Sequence, residues 1–228
     1  SRIGLSRFRP ELSARRVRTV GSSIFEKIWR AHHIDAIDAD TDLILVDRVL
    51  LHERTGGVAL KSLAEAGRSI LAPRQTFVTM DHVVDTRPGR SDETIMPTGK
   101  AFITATREAA QAAGLTLFDL GDPAQGIVHV ISPEMAIVLP GATLVCPDSH
   151  TCSQGALGAL AWGIGSTAAE HALASSTLRV KRPKTMRITI DGRLAPGVTA
   201  KDLALHLIAR FGSSGGAGHI VEYAGEAV

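Results

Sequence analysis

The sequence has little cysteine, few aromatic residues and no long apolar run. Its 228 residues include two Cys, and aromatic residues make up 4% of the chain. So few cysteines exclude a disulfide-stapled secreted fold and indicate a reducing compartment, which we expect to be the cytoplasm. A membrane-spanning helix needs about 18 or more consecutive apolar residues, so we expect no transmembrane helix and no membrane partner.

An excess of charge of one sign is also lacking. The 25 Lys and Arg nearly balance the 23 Asp and Glu, which gives a formal net charge of +2 at pH 7. This balance gives no basis for a nucleic-acid partner, which a basic surface would attract. Hydrophobic residues make up 44% of the chain, and that share indicates a folded globular protein rather than a disordered one.

The first residues differ from the rest. Residues 1–21 carry six arginines and one acid, Glu11, and they lack the apolar core that a secretory signal needs. We therefore predict a basic N-terminal tail over residues 1–21, with a targeting peptide as the alternative.

From residue 22 onward, short apolar runs alternate with segments of helical pattern. The predicted strands are 43–46, 76–80, 115–120, 126–131 and 143–146. The predicted helices begin after Ser22 or Ser23 and cover 58–66 and 100–113, with one or two buried helices in the Ala-rich and Gly-rich segment 155–178. Such alternation predicts an α/β layer fold with a mainly parallel sheet.

A basic connector at 179–184 precedes a second series of elements. We predict strands at 185–190 and 219–223, and between them a helix within 197–210 that Thr199 caps, with Asp202 placed for a capping box. The glycine-rich segment 212–218 lacks the Lys-Ser or Lys-Thr ending of a phosphate-binding loop. Residues 185–228 therefore indicate the start of a second lobe with too few strands to close a sheet.

Polar residues follow or lie within several predicted strands. These clusters are His52-Glu53, Asp81-His82, His129 and Asp148-Ser149-His150-Thr151. In open α/β sheets, ligands bind outside the carboxyl ends of the strands. We therefore expect the clusters to converge on one crevice.

An Asp next to a His has a chemical use. The carboxylate accepts an imidazole N–H, fixes its tautomer and raises its basicity, and such a pair can deliver a proton to a leaving hydroxyl. A Ser-His-Asp hydrolase that uses Ser149 is an alternative, although Ser149 does not lie in a Gly-x-Ser-x-Gly elbow. The two cysteines, Cys146 and Cys152, have neither C-x-x-C spacing nor a Cys₄ set, so we expect a buried strand residue and a loop residue.

Five segments in order resemble the aconitase superfamily, most closely the large subunits of 3-isopropylmalate dehydratase. They are Met-Asp-His at 80–82, Gln-Gly-Ile-Val-His at 125–129, Asp-Ser-His-Thr at 148–151, Gly-Ala-Leu-Gly-Ala-Leu-Ala-Trp-Gly-Ile-Gly at 155–165 and Gly-His-Ile-Val-Glu-Tyr at 218–223. The resemblance covers about residues 22–228. It implies a three-layer α/β/α aconitase-like domain over 22–180 and the truncated start of a second α/β domain over 185–228.

The resemblance also implies a reaction. Members of this family are hydro-lyases that isomerise a hydroxy-polycarboxylate by dehydration and rehydration, here 2-isopropylmalate to 3-isopropylmalate in leucine biosynthesis. A 4Fe–4S cluster with one open iron serves as the Lewis acid, and a small, swivelling-domain subunit forms a heterodimer with the large one.

Site residues are implied by the same motifs. The expected catalytic residues are Asp81, His82, His129, Asp148, His150 and Glu222, and the expected substrate-binding residues are His52 and Ser149. By resemblance, Asp81 and His82 handle the leaving hydroxyl with His150, while His129 and Asp148 support them. Glu222 is expected beside the iron-bound hydroxyl or water.

Several departures from the family pattern bear on these expectations. The family's cluster cysteines lie beyond the segment that ends this chain at Val228, so we expect no metal ligand and no bound cluster in this chain, and no activity from it alone. Gln154 and Pro147 stand where the dehydratases usually have His and Gly. A related methylmalate or dimethylmalate hydro-lyase, or a cluster-free fragment that only binds a carboxylate or a partner chain, are therefore the alternatives.

Overall fold

A computed structural model describes residues 21–228, so the predicted tail at 1–21 lies, except for Gly21, outside the described residues. The helices are α1 (Ile24–His32), α2 (Gly56–Glu65), α3 (Gly99–Ala112), α4 (Val128–Glu134), α5 (Ser166–Ser175) and α6 (Ala200–Phe211). The strands are β1 (His33–Ala36), β2 (Thr41–Leu45), β3 (Arg48–His52), β4 (Thr76–Thr79), β5 (Thr116–Phe118), β6 (Thr143–Cys146), β7 (Leu160–Gly163), β8 (Thr177–Lys181), β9 (Lys184–Thr189) and β10 (His219–Ala224). Short 3₁₀ helices cover Pro73–Gln75 and Thr151–Leu157.

A five-stranded parallel sheet forms the centre of the fold. Its strand order is β5-β4-β3-β6-β7. The chain enters at β3, builds outward through β4 and β5, and then crosses back to place β6 and β7 on the other side of β3. The direction of winding therefore reverses between β3 and β6, and crevices at such a reversal are where α/β sheets bind ligands.

Helices cover both faces of this sheet. Val49 and Leu51 point to one face, where they pack with buried residues of α2, α3 and α5. Leu50 and Leu144 point to the other face, where they pack with Val128 and other residues of α4. The strands are apolar on both faces because both are covered. The predicted three-layer α/β fold with a mainly parallel sheet is confirmed.

Two glycines permit close approaches that shape this sheet. A Cβ at Gly57 in α2 would lie 2.5 Å from Oγ1 of Thr106, so α2 and α3 can touch only because residue 57 has no side chain. A Cβ at Gly163 in β7 would lie 2.5 Å from the carbonyl oxygen of Asp148. Gly163 therefore lets the chain that leaves β6 turn tightly at Asp148.

A second, antiparallel sheet joins β1, β2 and β8, and α1 packs beside it through Phe25 and Trp29. The predicted connector at 179–184 is wrong in its first half, because residues 179–181 belong to β8 and pair with β2. Leu178 is buried, so the strand has an apolar anchor that its basic sequence obscures. Arg182 then donates to Glu26 at 2.7 Å, and its guanidinium lies 5.5 Å from the Trp29 ring centroid.

The C-terminal elements form a small unit of their own. Strands β9 and β10 pair in parallel as a two-stranded sheet, and α6 connects them. The predicted capping box is present, since the Thr199 N–H donates to Asp202 Oδ2 at 2.8 Å. No residue of α6 is buried in the part of the chain that the structure describes. The division into two domains stays a prediction.

Two further predictions differ from the structure, the strand at 126–131 entirely and the helical segment 155–178 outside α5. Residues 126–131 are not a strand, because α4 begins at Val128, whose N–H donates to Asp81 Oδ2 at 2.7 Å. This carboxylate satisfies a free N–H of the helix start and outweighs the strand preference of the Val and Ile residues. Segment 155–178 contains a 3₁₀ helix end, β7, α5 and the start of β8, because Gly158 (φ 78°) ends the 3₁₀ helix and β7 pairs with β6.

Within residues 21–228, none of the helices combines the length and the apolar character required to cross a lipid bilayer.

Candidate active site

The carboxyl ends of three neighbouring strands bring the polar clusters together. Glu53 follows β3, Asp81 and His82 follow β4, and Asp148 follows β6. Strands β4 and β6 flank β3 on either side, so their ends meet at the winding reversal. The convergence predicted from the sequence is therefore seen in the geometry of these residues.

His82 lies at the centre, between two carboxylates. Its Nδ1 donates to Asp81 Oδ1 at 2.6 Å and its Nε2 donates to Asp148 Oδ2 at 2.8 Å. The hydrogen bond to Asp81 is the main reason that the pKa of His82 rises to about 9, with Asp148 adding to it and burial opposing both. The ring is therefore an imidazolium at neutral pH, and its side chain remains 26% exposed.

Asp148 is the anion that joins the cluster. Its Oδ1 accepts from Nε2 of His129 at 3.0 Å and from the backbone N–H of His150 at 2.6 Å. Burial by itself would raise the pKa of Asp148, but these hydrogen bonds and the one from His82 outweigh it and lower the pKa to about 2. Asp148 thus stays ionised over the whole physiological range.

His129 is a second, neutral histidine that contacts Asp148. Because its Nε2 donates to Asp148, the lone pair is on Nδ1, which is buried and has no partner among residues 21–228. Burial lowers the pKa of His129, although the charge of Asp148 opposes this. Gln154, one of the departures from the family pattern, is itself buried and donates to the His129 carbonyl at 3.1 Å.

His52 lies beneath His82. It is 1% exposed, and the two rings stack with centroids 3.6 Å apart and planes inclined by 11°. Its Nε2 donates to the Pro147 carbonyl at 3.0 Å. Burial and the charge of His82 lower the pKa of His52, so a neutral ring supports a charged one. The substrate contact expected for His52 stays a prediction.

Ser149 and His150 form the exposed rim of the cluster. The His150 side chain is 83% exposed, and its Nδ1 lies 3.5 Å from Asp148 Oδ1 and 3.4 Å from Ser149 Oγ. A Ser-His-Asp triad needs the serine and the carboxylate on different ring nitrogens. Here both face the same nitrogen, so the geometry does not support the hydrolase alternative.

Glu222 belongs to the two-stranded sheet rather than to the parallel sheet whose strand ends carry this cluster. It lies on β10 and lines a cavity of about 340 Å³ together with residues 21–23, Glu26 and Thr185. Its Oε1 is buried and has no hydrogen-bond partner among residues 21–228. The catalytic role expected for Glu222 stays a prediction.

Glu53 belongs to the His52-Glu53 cluster, and the sequence motifs imply no role for it. It is fully buried directly behind the Asp81-His82 turn. The signal was an acid immediately after a largely buried strand, because a buried acid needs dedicated hydrogen-bond donors.

The described residues do not provide a metal centre. His52, Glu53, Asp81 and His82 offer atoms within 4.8 Å of one another, but both Glu53 oxygens and both His82 nitrogens already form hydrogen bonds. The 4Fe–4S cluster implied by the resemblance needs several thiolates. Cys146 is buried in β6, where burial raises the pKa of its thiol well above the usual value, and Cys152 is exposed on the 3₁₀ helix. These two cysteines do not fit that cluster.

Comparison with known proteins agrees with this geometry. The sequence is 48% identical over 219 residues, 96% of the chain, to the 3-isopropylmalate dehydratase large subunit 1 of Bradyrhizobium diazoefficiens. The match covers 46% of that relative, so the chain spans about half its length. The profile of the Aconitase family (aconitate hydratase) matches residues 26–228. This chain belongs to the aconitase family.

Proposed function

We propose that this chain is the N-terminal part of the large subunit of a hydro-lyase that isomerises a hydroxy-dicarboxylate by dehydration and rehydration. The most specific form of the proposal is the conversion of 2-isopropylmalate to 3-isopropylmalate. The observation that carries it is the His82 ring held between the Asp81 and Asp148 carboxylates at the winding reversal of the sheet. The name of the Bradyrhizobium relative supports the choice of substrate.

The chemical need is a proton for a leaving hydroxyl. Hydroxide is a poor leaving group, and a positioned acid that protonates it as the C–O bond breaks converts it to water. His82 holds such a proton on Nε2, where Asp148 now accepts it at 2.8 Å. A substrate hydroxyl that enters beside Nε2 would accept the proton in place of Asp148 and leave as water. The proton on the neighbouring carbon would leave to a base, which we expect from the small-subunit partner, and rehydration would reverse both transfers.

The neighbouring groups keep that proton available. With a pKa of about 9, His82 stays protonated at neutral pH, while Asp148, with a pKa of about 2, stays anionic and stabilises the imidazolium. His129 is neutral and holds Asp148 from the other side. Groups whose surroundings push their pKa values apart in this way divide the acid and base roles between them.

The exposed rim suits a carboxylate ligand. Ser149 and His150 project beyond Asp148, where their hydroxyl and ring can donate to a substrate carboxylate. We place the substrate-binding role of Ser149 here, with His52 acting from below through its stacked contact with His82.

The remaining parts of the proposed enzyme lie outside this chain. The described residues offer no set of thiolates for a 4Fe–4S cluster, so we expect the cysteines for it, and the small-subunit partner of a heterodimer, to come from other polypeptide segments. We accordingly expect the 228-residue chain alone to be inactive and to bind no cluster. Its expected location is the cytoplasm.

A chimera tests the proposal. Residues 22–228 replace the matching part of the Bradyrhizobium large subunit, which is produced with its small subunit, and dehydration of 2-isopropylmalate is followed by the absorbance of the unsaturated product. The expected result is turnover with 2-isopropylmalate above that with methylmalate or dimethylmalate. The parent enzyme without the replacement is the control.

The alternatives are outcomes of the same assay. A preference for methylmalate or dimethylmalate would favour the related hydro-lyases, for which Gln154 and Pro147 are the sequence differences that matter. A folded, cluster-loaded chimera with no turnover on any of the three would contradict the proposal and favour a fragment that only binds a carboxylate or a partner.

A further inference from the structure

Glu53 is a buried carboxylate that the proposed chemistry does not use directly. It is 0% exposed and follows β3, the central strand of the parallel sheet. The backbone carbonyl of Glu53 accepts a hydrogen bond from Oγ1 of Thr106 in α3 at 3.1 Å, and this bond ties the backbone of Glu53 to α3. A carboxylate in such a place must have dedicated donors, because an unpaired buried charge is very costly.

The donors are three consecutive backbone N–H groups. Glu53 Oε2 accepts from Asp81 at 2.9 Å, and Oε1 accepts from His82 at 2.7 Å and from Val83 at 2.5 Å. Strand β4 ends at Thr79, so these amides have no sheet partner. Successive backbone N–H groups directed at one point form an anion-binding concavity, and here the anion is a side chain of the same chain.

These amides belong to the residues that carry the proposed proton donor. The side chain of Asp81 binds both His82 Nδ1 and the N–H of Val128, so its direction depends on how the turn at 81–83 is held. Side-chain positions around a proton donor must be kept within about half an ångström of their productive geometry. The Glu53 carboxylate joins this turn to the central strand through all three of its amides.

We propose that Glu53 is a positioning residue, whose carboxylate fixes the 81–83 turn so that the Asp81 carboxylate meets the His82 ring. The inference rests on the proposed function for its catalytic meaning. The geometric claim stands on the three hydrogen bonds. A positioning role requires that the side chain at residue 53 reach all three amides. A purely electrostatic role requires only that this side chain be negatively charged.

Two substitutions separate position from charge. Glu53→Gln keeps the length but offers one oxygen, and its NH₂ group faces an amide that also donates. Glu53→Asp keeps the charge but is shorter by one methylene and cannot reach all three amides. Both variants are made in the 228-residue chain, and NMR titration follows the His82 ring.

Asp47 provides the matched control. It lies at the opposite end of β3, where its Oδ2 accepts from the Thr143 N–H at 2.9 Å and from His32 Nε2 at 2.7 Å. Asp47→Asn makes the same change from carboxylate to amide and loses comparable hydrogen bonds. We expect it to lower stability while leaving the titration of His82 as in the parent chain.

If Glu53 positions the turn, both Glu53 variants raise the acid dissociation constant of His82 at least about tenfold, because the opposite charge of Asp81 moves away from the ring. If Glu53→Gln changed the acid dissociation constant of His82 and Glu53→Asp did not, Glu53 would act through its charge, and the proposal would be overturned. An unchanged titration in both variants would also overturn it. The titration of His82 does not depend on turnover. Failure of the dehydratase proposal would therefore be recognised separately, in the chimera assay.

A measurement on the unmodified chain covers the case in which neither variant folds. The amides of Asp81, His82 and Val83 lie outside any strand, yet the three hydrogen bonds predict slow hydrogen exchange, comparable with that of β4. The amides of the exposed loop around Gly89 are the internal reference for fast exchange. Exchange at 81–83 as fast as in that loop would overturn the proposal.

Discussion

Residues 22–181 and residues 184–228 differ in how much they bury. The first region has a five-stranded parallel sheet with helices on both faces, and all residues of the His82 cluster belong to it. The second has two paired strands and a helix, α6, in which Leu205, Ile208 and Phe211 are more than half exposed. The same alternation of apolar runs and helical segments predicted both regions, so the alternation by itself does not say where a core forms.

The contact between the regions is small and specific. Ile220 of β10 packs against the cluster around Phe25 and Trp29 on α1, and Arg182 joins the same place through Glu26. An isolated pair of strands is marginally stable in water, and open strand edges invite pairing with another chain. We therefore expect the second region to be the less stable one, or to gain stability by self-association.

The largest effect that we expect concerns the first region. In the chimera, His82→Ala should lower turnover about 10²–10⁴-fold, because a positioned acid or base contributes that much to a proton transfer. Binding of substrate should change far less. His206→Ala on the exposed face of α6 is the control, and it should leave turnover unchanged. Near-parental turnover of the His82→Ala chimera would remove the central residue of the proposal.

The next effect compares one leucine from each region. Leu51 on β3 is 0% exposed, whereas Leu205 on α6 is 52% exposed. Leu51→Ala should lower the free energy of unfolding by about 2–5 kcal/mol, since it removes a buried side chain and leaves a cavity. Leu205→Ala should change it by no more than about 0.5 kcal/mol. Denaturant titration of the two variants measures this, and equal losses would mean that α6 is buried by self-association.

The apolar pattern of the chain predicted β4, β5 and β6 of the parallel sheet, but it did not predict β3 or β7. Apolar runs located β4 and β6 within one or two residues, and the polar residues directly after them proved to be Asp81, His82 and Asp148. This works because a strand buried on both faces must be apolar along its length, and its end is where polar residues first become tolerable. The apolar run of a buried strand is a local property of the chain, so it can be recognised in the sequence.

Properties that depend on distant chain segments were not accessible in this way. His129 was placed in a strand because Val and Ile surround it, while the Asp81 carboxylate that starts α4 is remote in sequence. The support that Glu53 gives to the 81–83 turn depends on β3 and β4 being neighbours in the sheet. The pattern of apolar residues along the chain does not reveal the strand order. Glu222 was implied by resemblance, and no local signal gives its distance from His82.

The pH dependence of stability should come from the first region. His82 has a pKa of about 9 when folded against its usual 6.5, so its contribution is complete below about pH 6.5 and is lost as the pH rises through 9. The pKa values of His52 and His129 are lowered, chiefly by burial, so their contribution is present above 6.5 and declines as the pH falls. Asp148 has a usual pKa of 3.8 and a folded pKa of about 2, so its contribution to stability is lost as the pH falls from 3.8 toward 2.

Stability should therefore be greatest near pH 6.5, and His82 should be the main cause of the decline between about pH 6.5 and 9. Urea denaturation across this range measures the profile. His82→Gln should flatten the alkaline decline between about pH 6.5 and 9. A profile of that variant as steep as that of the parent chain would mean that another group titrates there.

The smallest effect tests whether α6 unfolds on its own. The Thr199 and Asp202 side chains form a capping box at its start, and loss of an N-cap costs about 0.5–2 kcal/mol. Because α6 buries none of its residues, Thr199→Ala should speed hydrogen exchange along α6 while leaving exchange in β3 and β6 unchanged.

Ser23→Ala is the matched change in the first region, since the Ser23 hydroxyl caps α1 and accepts the Glu26 N–H at 3.1 Å. There, the packing of Phe25 and Trp29 ties the helix to the core, so the same loss should lower the overall unfolding midpoint instead of opening α1 alone. If Thr199→Ala accelerated exchange equally in β3, the two regions would unfold as one cooperative unit and their contrast in burial would have no consequence for stability.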